Sequence, residues 1–273
     1  MAEASDQIVE PPPLIIETRE RLRILTLNRP GRMNALTPEL HHQLRCAVMD
    51  AAEEETISAV VLTGSGKGFC AGGDIKAASQ RAKTSKETVE DRQETLRHHA
   101  QTTTLLHQMP KVTIALVNGA AAGAGLSLAL ACDLRIALDT AKMTTAFAKV
   151  GLSGDYGISY FLPYLVGQAK ARELLFTAPV ITGQQAHEYG LVNQVADAAG
   201  YEALVSATAA QLASMPTVAL GYMKGNLNAA YTGTLSQALD REAAGMARCF
   251  TTEDHKNAAQ AFVEKRAPEF QGR

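Results

Sequence analysis

Tryptophan is absent from this chain of 273 residues, and aromatic residues make up only 5% of it. That scarcity leaves few platforms on which bases or sugars could stack. Neither sign of charge is in excess: 26 Lys and Arg face 28 Asp and Glu, for a formal net charge of -2. No broad field remains for gripping a nucleic-acid backbone. Cys46, Cys70, Cys132 and Cys249 stand far apart and form no CxxC pair. They read as buried thiols of a reducing compartment, not as a disulfide framework or a zinc site. No apolar run reaches the ~20 residues that span a bilayer. The longest candidate, residues 112–131, is broken by Asn118-Gly119 and by Gly123 and Gly125. Residues 1–13 have neither the basic start and apolar stretch of a secretory signal nor the arginines of a transit peptide, and read as a disordered leader. The expectation is a soluble cytoplasmic protein with no nucleic-acid or membrane partner.

What is present is apolar content carried by small and aliphatic residues, 46% in all, on a chain long enough for a large core. Residues 14–16 and 22–27 read as strands joined by a polar turn. Thr37-Pro38 opens a helix, with Thr as cap and Pro at the first helical position. Leu40, Leu44, Ala47, Val48 and Ala51 then form one apolar stripe. Residues 58–63, 112–117 and 134–137 read as buried strands. Residues 76–109 are polar and helix-prone, most loop-like over 80–90. Helices are expected over 126–131, 155–165 and 169–176, and then over 201–215, 218–231, 235–250 and 254–265. The alternation gives an α/β core with parallel strands over residues 14–200 and a helical region over 201–273.

Familiar motifs fail when tested. Gly66-Lys67-Gly68 lacks the spacing and hydroxyl of a phosphate loop, Gly123-Ala124-Gly125 lacks the third glycine of a dinucleotide fingerprint, and Gly151-Leu152-Ser153-Gly154-Asp155 misses the nucleophile elbow. His41-His42 and His98-His99 are adjacent pairs that point apart on a helix, and read as solvated faces, not metal clamps. Two strand–glycine loop–helix junctions remain, one running into Ala71-Gly72-Gly73-Asp74 and the other into Gly123-Ala124-Gly125. Two backbone N–H groups converging there would stabilise an oxyanion or enolate. Tight helix–strand packing explains the same glycines.

The strings Leu27-Asn28-Arg29-Pro30, Met33-Asn34-Ala35-Leu36, Phe69-Cys70-Ala71-Gly72-Gly73-Asp74-Ile75-Lys76, Val117-Asn118-Gly119 and Ala131-Cys132-Asp133-Leu134 resemble the enoyl-CoA hydratase/isomerase (crotonase) superfamily. So do Gly190-Leu191-Val192 and the terminal Ala261-Phe262-Val263-Glu264-Lys265-Arg266. The resemblance runs in order over residues 14–268. It implies a crotonase-like spiral of strand–strand–helix turns with a helical C-terminal oligomerisation region that builds trimers, often paired as hexamers. It implies an acyl-CoA substrate and no cofactor or metal beyond the CoA of the substrate. The oxyanion hole falls on Gly73 and Ala124. Contacts to CoA fall on Arg32, Met33, Ala35, Ala71, Asp74, Ile75, Phe262 and Lys265.

The two glutamates that hydratases of this family use align with Ser127 and Phe147, so ordinary hydration is in doubt. Ser127, Phe147 and Tyr156 fall in the expected substrate pocket. The carboxylate left nearby is Asp155, the expected catalytic residue, whose alternative reading is a cap on the following helix, a position that would lower its pKa. Ser153 and Tyr160 are further candidates to orient substrate or water. Glu90, Glu94 and His98 are read as solvated. An atypical hydratase, isomerase or hydrolase using Asp155 is expected; an ordinary enoyl-CoA hydratase and a non-catalytic acyl-CoA binder are the alternatives.

Overall fold

The computed structural model describes residues 11–74 and 86–273. Its main sheet has the strand order β1-β2-β3-β5-β7-β10. β1 (Leu14–Arg19) and β2 (Leu22–Leu27) form an antiparallel hairpin, turning at Glu20 with φ 53°. β3 (Ala59–Gly64), β5 (Val112–Val117), β7 (Leu134–Leu138) and β10 (Gln194–Ala196) continue it in parallel. A second sheet, order β4-β6-β8-β9, is built from β4 (Gly68–Cys70), β6 (Ala120–Ala122), β8 (Lys142–Thr144) and β9 (Ile181–Thr182).

The chain alternates between the sheets. β3, β5 and β7 are each followed by a short strand of the second sheet, and then by α2 (Val89–Gln108), α3 (Ala124–Ala131) and α4 (Ile158–Thr177). This is the strand–strand–helix spiral that the resemblance implies. Its core is aliphatic: Leu25, Leu40, Leu44, Leu62, Leu106 and Leu128 are fully buried. Each such side chain contributes about 1.5–3 kcal/mol.

α1 (Pro38–Glu53) starts as expected, with the Thr37 hydroxyl accepting from the Leu40 N–H and the apolar stripe buried. The two expected helices near 155–176 are one element broken at Gly167, whose φ 75° and ψ 162° are not helical. A short α5 (Gly183–Glu188) precedes β10. Residues 1–10 of the expected leader lie outside the described residues. Pro12 and Pro13 are held, their carbonyls accepting from Asn28.

The C-terminal helices are α6 (Tyr201–Ala213), α7 (Thr217–Ala230), α8 (Leu235–Phe250) and α9 (Glu253–Glu264). α7 is pinned by Lys224, whose buried ammonium donates to the Leu106 and Lys111 carbonyls and pairs with Asp133 at 2.8 Å. The last residues fold back, with the Gln271 and Gly272 N–H groups donating to the Asp254 carboxylate. No single helix among the described residues is long and apolar enough to cross a membrane; α6 and α7 meet at 100°.

Candidate active site

Where the tips of both glycine junctions meet, they border a cavity of about 910 Å³. The wall begins with backbone pairing. The Leu36 N–H donates to the Gly72 carbonyl at 2.8 Å, and the Asp74 N–H donates to the Leu36 carbonyl at 3.3 Å. This parallel bridge uses the groups on either side of Gly73, so the Gly73 N–H faces away from Leu36. A Cβ at Gly73 would meet nothing within 4 Å among the described residues.

Gly72 has φ 84°, and a Cβ there would lie 2.7 Å from the Ala122 carbonyl oxygen and 3.2 Å from the Ala124 nitrogen. Only glycine lets the two backbones approach so closely in that conformation. Ala124 is the first residue of α3, where an N–H has no acceptor within the helix and the dipole favours negative charge. Gly125 serves packing instead: a Cβ there would fall 2.1 Å from the Cys70 carbonyl oxygen. Close packing thus accounts for Gly72 and Gly125, while Gly73 and Ala124 border the cavity.

Asp155 reaches the same cavity from the loop before α4. Gly151, Gly154 and Gly157 in that loop all have positive φ. The expected cap is not made. The helix N-cap is Gly157, with no side-chain hydrogen bond to the first turn. The carboxylate turns inward, and its Oδ1 is buried without a hydrogen-bond partner among the described residues. Burial raises its pKa from 3.8 to about 6, the opposite of what capping would do.

Phe147, Ala71 and Asp74 also line the cavity, and Asp74 pairs with Arg29 at 3.6 Å. Ser127 does not: it is fully buried, its hydroxyl bonded to the Gly123 carbonyl. A small hydroxyl one turn into α3 is satisfied by its own helix. Tyr156 does not line the cavity either; its hydroxyl meets Nδ1 of His41, which does, at 2.5 Å. Arg32, Met33 and Ala35 do not line the cavity but belong to the segment behind it, where the Met33 carbonyl accepts from the Ala71 N–H. Ile75 lies outside the described residues. Phe262, 85% exposed, and Lys265, just past α9, do not line the cavity either. Ser153, Glu90, Glu94 and His98 are exposed, and Tyr160 packs edge-on to Phe161 and His107 instead.

Two histidines read as solvated face the site. His41 on α1 and His99 on α2 line the cavity and stack, with ring centroids 3.9 Å apart and planes 11° apart. Their registers carried the signal. His41 precedes buried Leu44 and Val48 by three and seven residues, and His99 so precedes buried Thr102 and Leu106. Both therefore lie on the flank of an inward face. Among the described residues, no group of three His, Cys, Asp or Glu side chains could hold a metal ion.

The model of the family described as enoyl-CoA hydratase/isomerase matches residues 17–273. A 1,2-epoxyphenylacetyl-CoA isomerase of Escherichia coli is 36% identical over 249 residues, covering 91% of this chain and 94% of that one. A crotonyl-CoA hydratase of Syntrophomonas wolfei is 34% identical, covering 94% of this chain and 97% of that one. Among solved structures, an enoyl-CoA hydratase from a Polaromonas species superposes with a TM-score of 0.87 at 34% identity, covering 94% of this chain and 99% of that one. The order of β-β-α turns around the cavity and the match along nearly the whole chain agree: this protein belongs to the enoyl-CoA hydratase/isomerase family and has the crotonase fold.

Proposed function

We propose that this protein is an acyl-CoA thioester isomerase in which Asp155 is the sole proton carrier. The observation that carries this reading is the half-buried Asp155 carboxyl in the cavity shared by Gly73 and Ala124, with a pKa near 6, while the resemblance aligns Ser127 and Phe147 with the two hydratase glutamates. Hydration needs one group to activate water and another to place a proton. Moving a double bond needs only one. The Asp155 carboxylate takes a proton from the carbon next to the thioester carbonyl, and the electron pair passes into a dienolate. The negative oxygen is held by the Gly73 and Ala124 N–H groups. The carboxylic acid then returns its proton to the carbon two bonds further along, and the double bond has shifted. A carboxyl with a pKa near 6 suits both steps near neutrality.

Ala71 and Asp74 border the CoA entrance, and Arg32, Met33 and Ala35 belong to the segment paired with Ala71. The test is a panel of β,γ- and α,β-enoyl thioesters in deuterated water, read by mass spectrometry. For a β,γ-enoyl substrate the expected product is its α,β isomer, with any deuterium at the carbon two bonds beyond the one next to the carbonyl. A product heavier by one water would establish the ordinary hydratase instead, release of free CoA a hydrolase, and tight binding with no change on any thioester an acyl-CoA binder.

The assembly is inferred from α8. Leu235, Leu239, Met246 and Phe250 form one stripe, each between 54% and 77% exposed in the single chain. Such a stripe is stable when a second copy covers it. The resemblance to the family makes that assembly a trimer or a pair of trimers, in which a neighbouring copy brings Phe262 and Lys265 to bound CoA. Met246→Glu is expected to shift the particle to monomer in light scattering; an unchanged mass would overturn the assignment of this face.

A further inference from the structure

Tyr156 combines three features that a loop residue rarely combines. It is 4% exposed, it has φ 54°, and it directly follows Asp155. A bulky residue in the left-handed region costs on the order of 1–3 kcal/mol, so its surroundings must hold it there. The hydroxyl supplies that hold, meeting His41 Nδ1 at 2.5 Å. His41 is itself fixed by α1 on one side and by the stacked His99 ring from α2 on the other. Burial, with the nearby Asp155 charge, pushes the phenol pKa upward, so the hydroxyl keeps its proton.

We propose that Tyr156 is a positioning residue, braced by His41 and His99, that fixes the direction in which the Asp155 carboxyl points into the cavity. The loop needs such a device. Glycines at 151, 154 and 157 leave its backbone with few preferences of its own. The Asp155 Oδ1 has no hydrogen bond to orient it among the described residues. The tether therefore comes through the neighbouring residue and crosses to two helices of the opposite wall. A misplacement of about 1 Å at a proton carrier can cost 10²-fold in rate.

The inference rests on Asp155 as the proton carrier, and its test separates the two claims. Turnover of a β,γ-enoyl thioester is measured for Tyr156→Phe, His41→Leu, His41→Asn, the double variant Tyr156→Phe/His41→Leu, and Asp155→Asn. Tyr156→Phe and His41→Leu are each expected to lower kcat about 10–100-fold, leaving KM within about two-fold. The double variant is expected to be no worse than the poorer single one, because both remove the same bond. His41→Asn, which keeps a polar atom near the place of Nδ1, is expected to recover most of the rate. A merely structural role would lower Tm without this split between kcat and KM and without rescue. Unchanged kcat in Tyr156→Phe, or losses that add in the double variant, would overturn the brace while an inactive Asp155→Asn leaves the proton carrier standing. Full turnover in Asp155→Asn would remove both.

Discussion

Asp155→Asn is expected to lower turnover by about 10²–10⁴-fold while thioester binding changes little, and at the same time to make the fold more stable at pH 8. The two effects share one cause. Burial raises the pKa from 3.8 to about 6 because the ionised carboxylate is poorly solvated in its loop. The native state therefore holds this proton more tightly than the unfolded chain does. Below about pH 4 both states are protonated and the group costs nothing. As pH rises from 4 to 6 the unfolded chain releases its proton first, and native stability falls. Above 6 the loss is complete. Asparagine never ionises, so its advantage is absent at pH 4 and on the order of 2 kcal/mol at pH 8, after discounting for partial exposure. The same pKa predicts that kcat/KM of the native enzyme rises with pH and levels off above about 6, where the base is free. Thermal melts at the two pH values and a pH–rate profile check these statements. A variant with wild-type turnover would refute the proton carrier. One less stable than wild type at pH 8 would show that the carboxylate has a stabilising partner.

The elements that could be read from sequence are those whose signals are local and long enough to repeat. α1 has its cap, its proline and five apolar positions on one face, and α8 runs over the residues expected. The second sheet has no such signal. Strands of two or three residues are too short to show alternation, and they form only because the spiral brings β4, β6 and β8 side by side. The site divides in the same way. Gly73 and Ala124 stand out through the two glycine junctions, and Asp155 through the resemblance. The direction of the Asp155 side chain does not, because it depends on where α4 begins, and the helix starts after Gly157. The His41–His99 stack needs α1 and α2 to cross at those two positions, a tertiary fact with only the helical register as a hint. Tyr156 was expected to face the substrate, yet its strained backbone turns the ring towards that stack.

Ala124→Pro tests the oxyanion reading at a point where backbone chemistry can be changed without disturbing the helix. Ala124 is the first residue of α3, the position where proline is best tolerated, since its missing N–H has no helical acceptor to lose. The preceding residue must adopt an extended backbone, and Gly123 at φ 52° and ψ −125° is the mirror image of that conformation, which glycine adopts freely. Gly72 has no side chain to collide with the new ring. The substitution removes one hydrogen-bond donor and sets the ring carbon Cδ where that N–H points, so an oxygen held there loses both its donor and its space. If that N–H holds the enolate oxygen, kcat is expected to fall by at least about 10²–10³-fold, the usual cost of one oxyanion donor, and the ring's place at that oxygen is expected to raise KM as well. Ala124→Ser keeps the N–H and is expected to stay within a few-fold of wild type. Circular dichroism and Tm establish that the proline variant is folded. A folded Ala124→Pro enzyme of normal kcat would move the oxyanion site away from α3 and leave the close approach of Gly72 to Ala124 as packing alone.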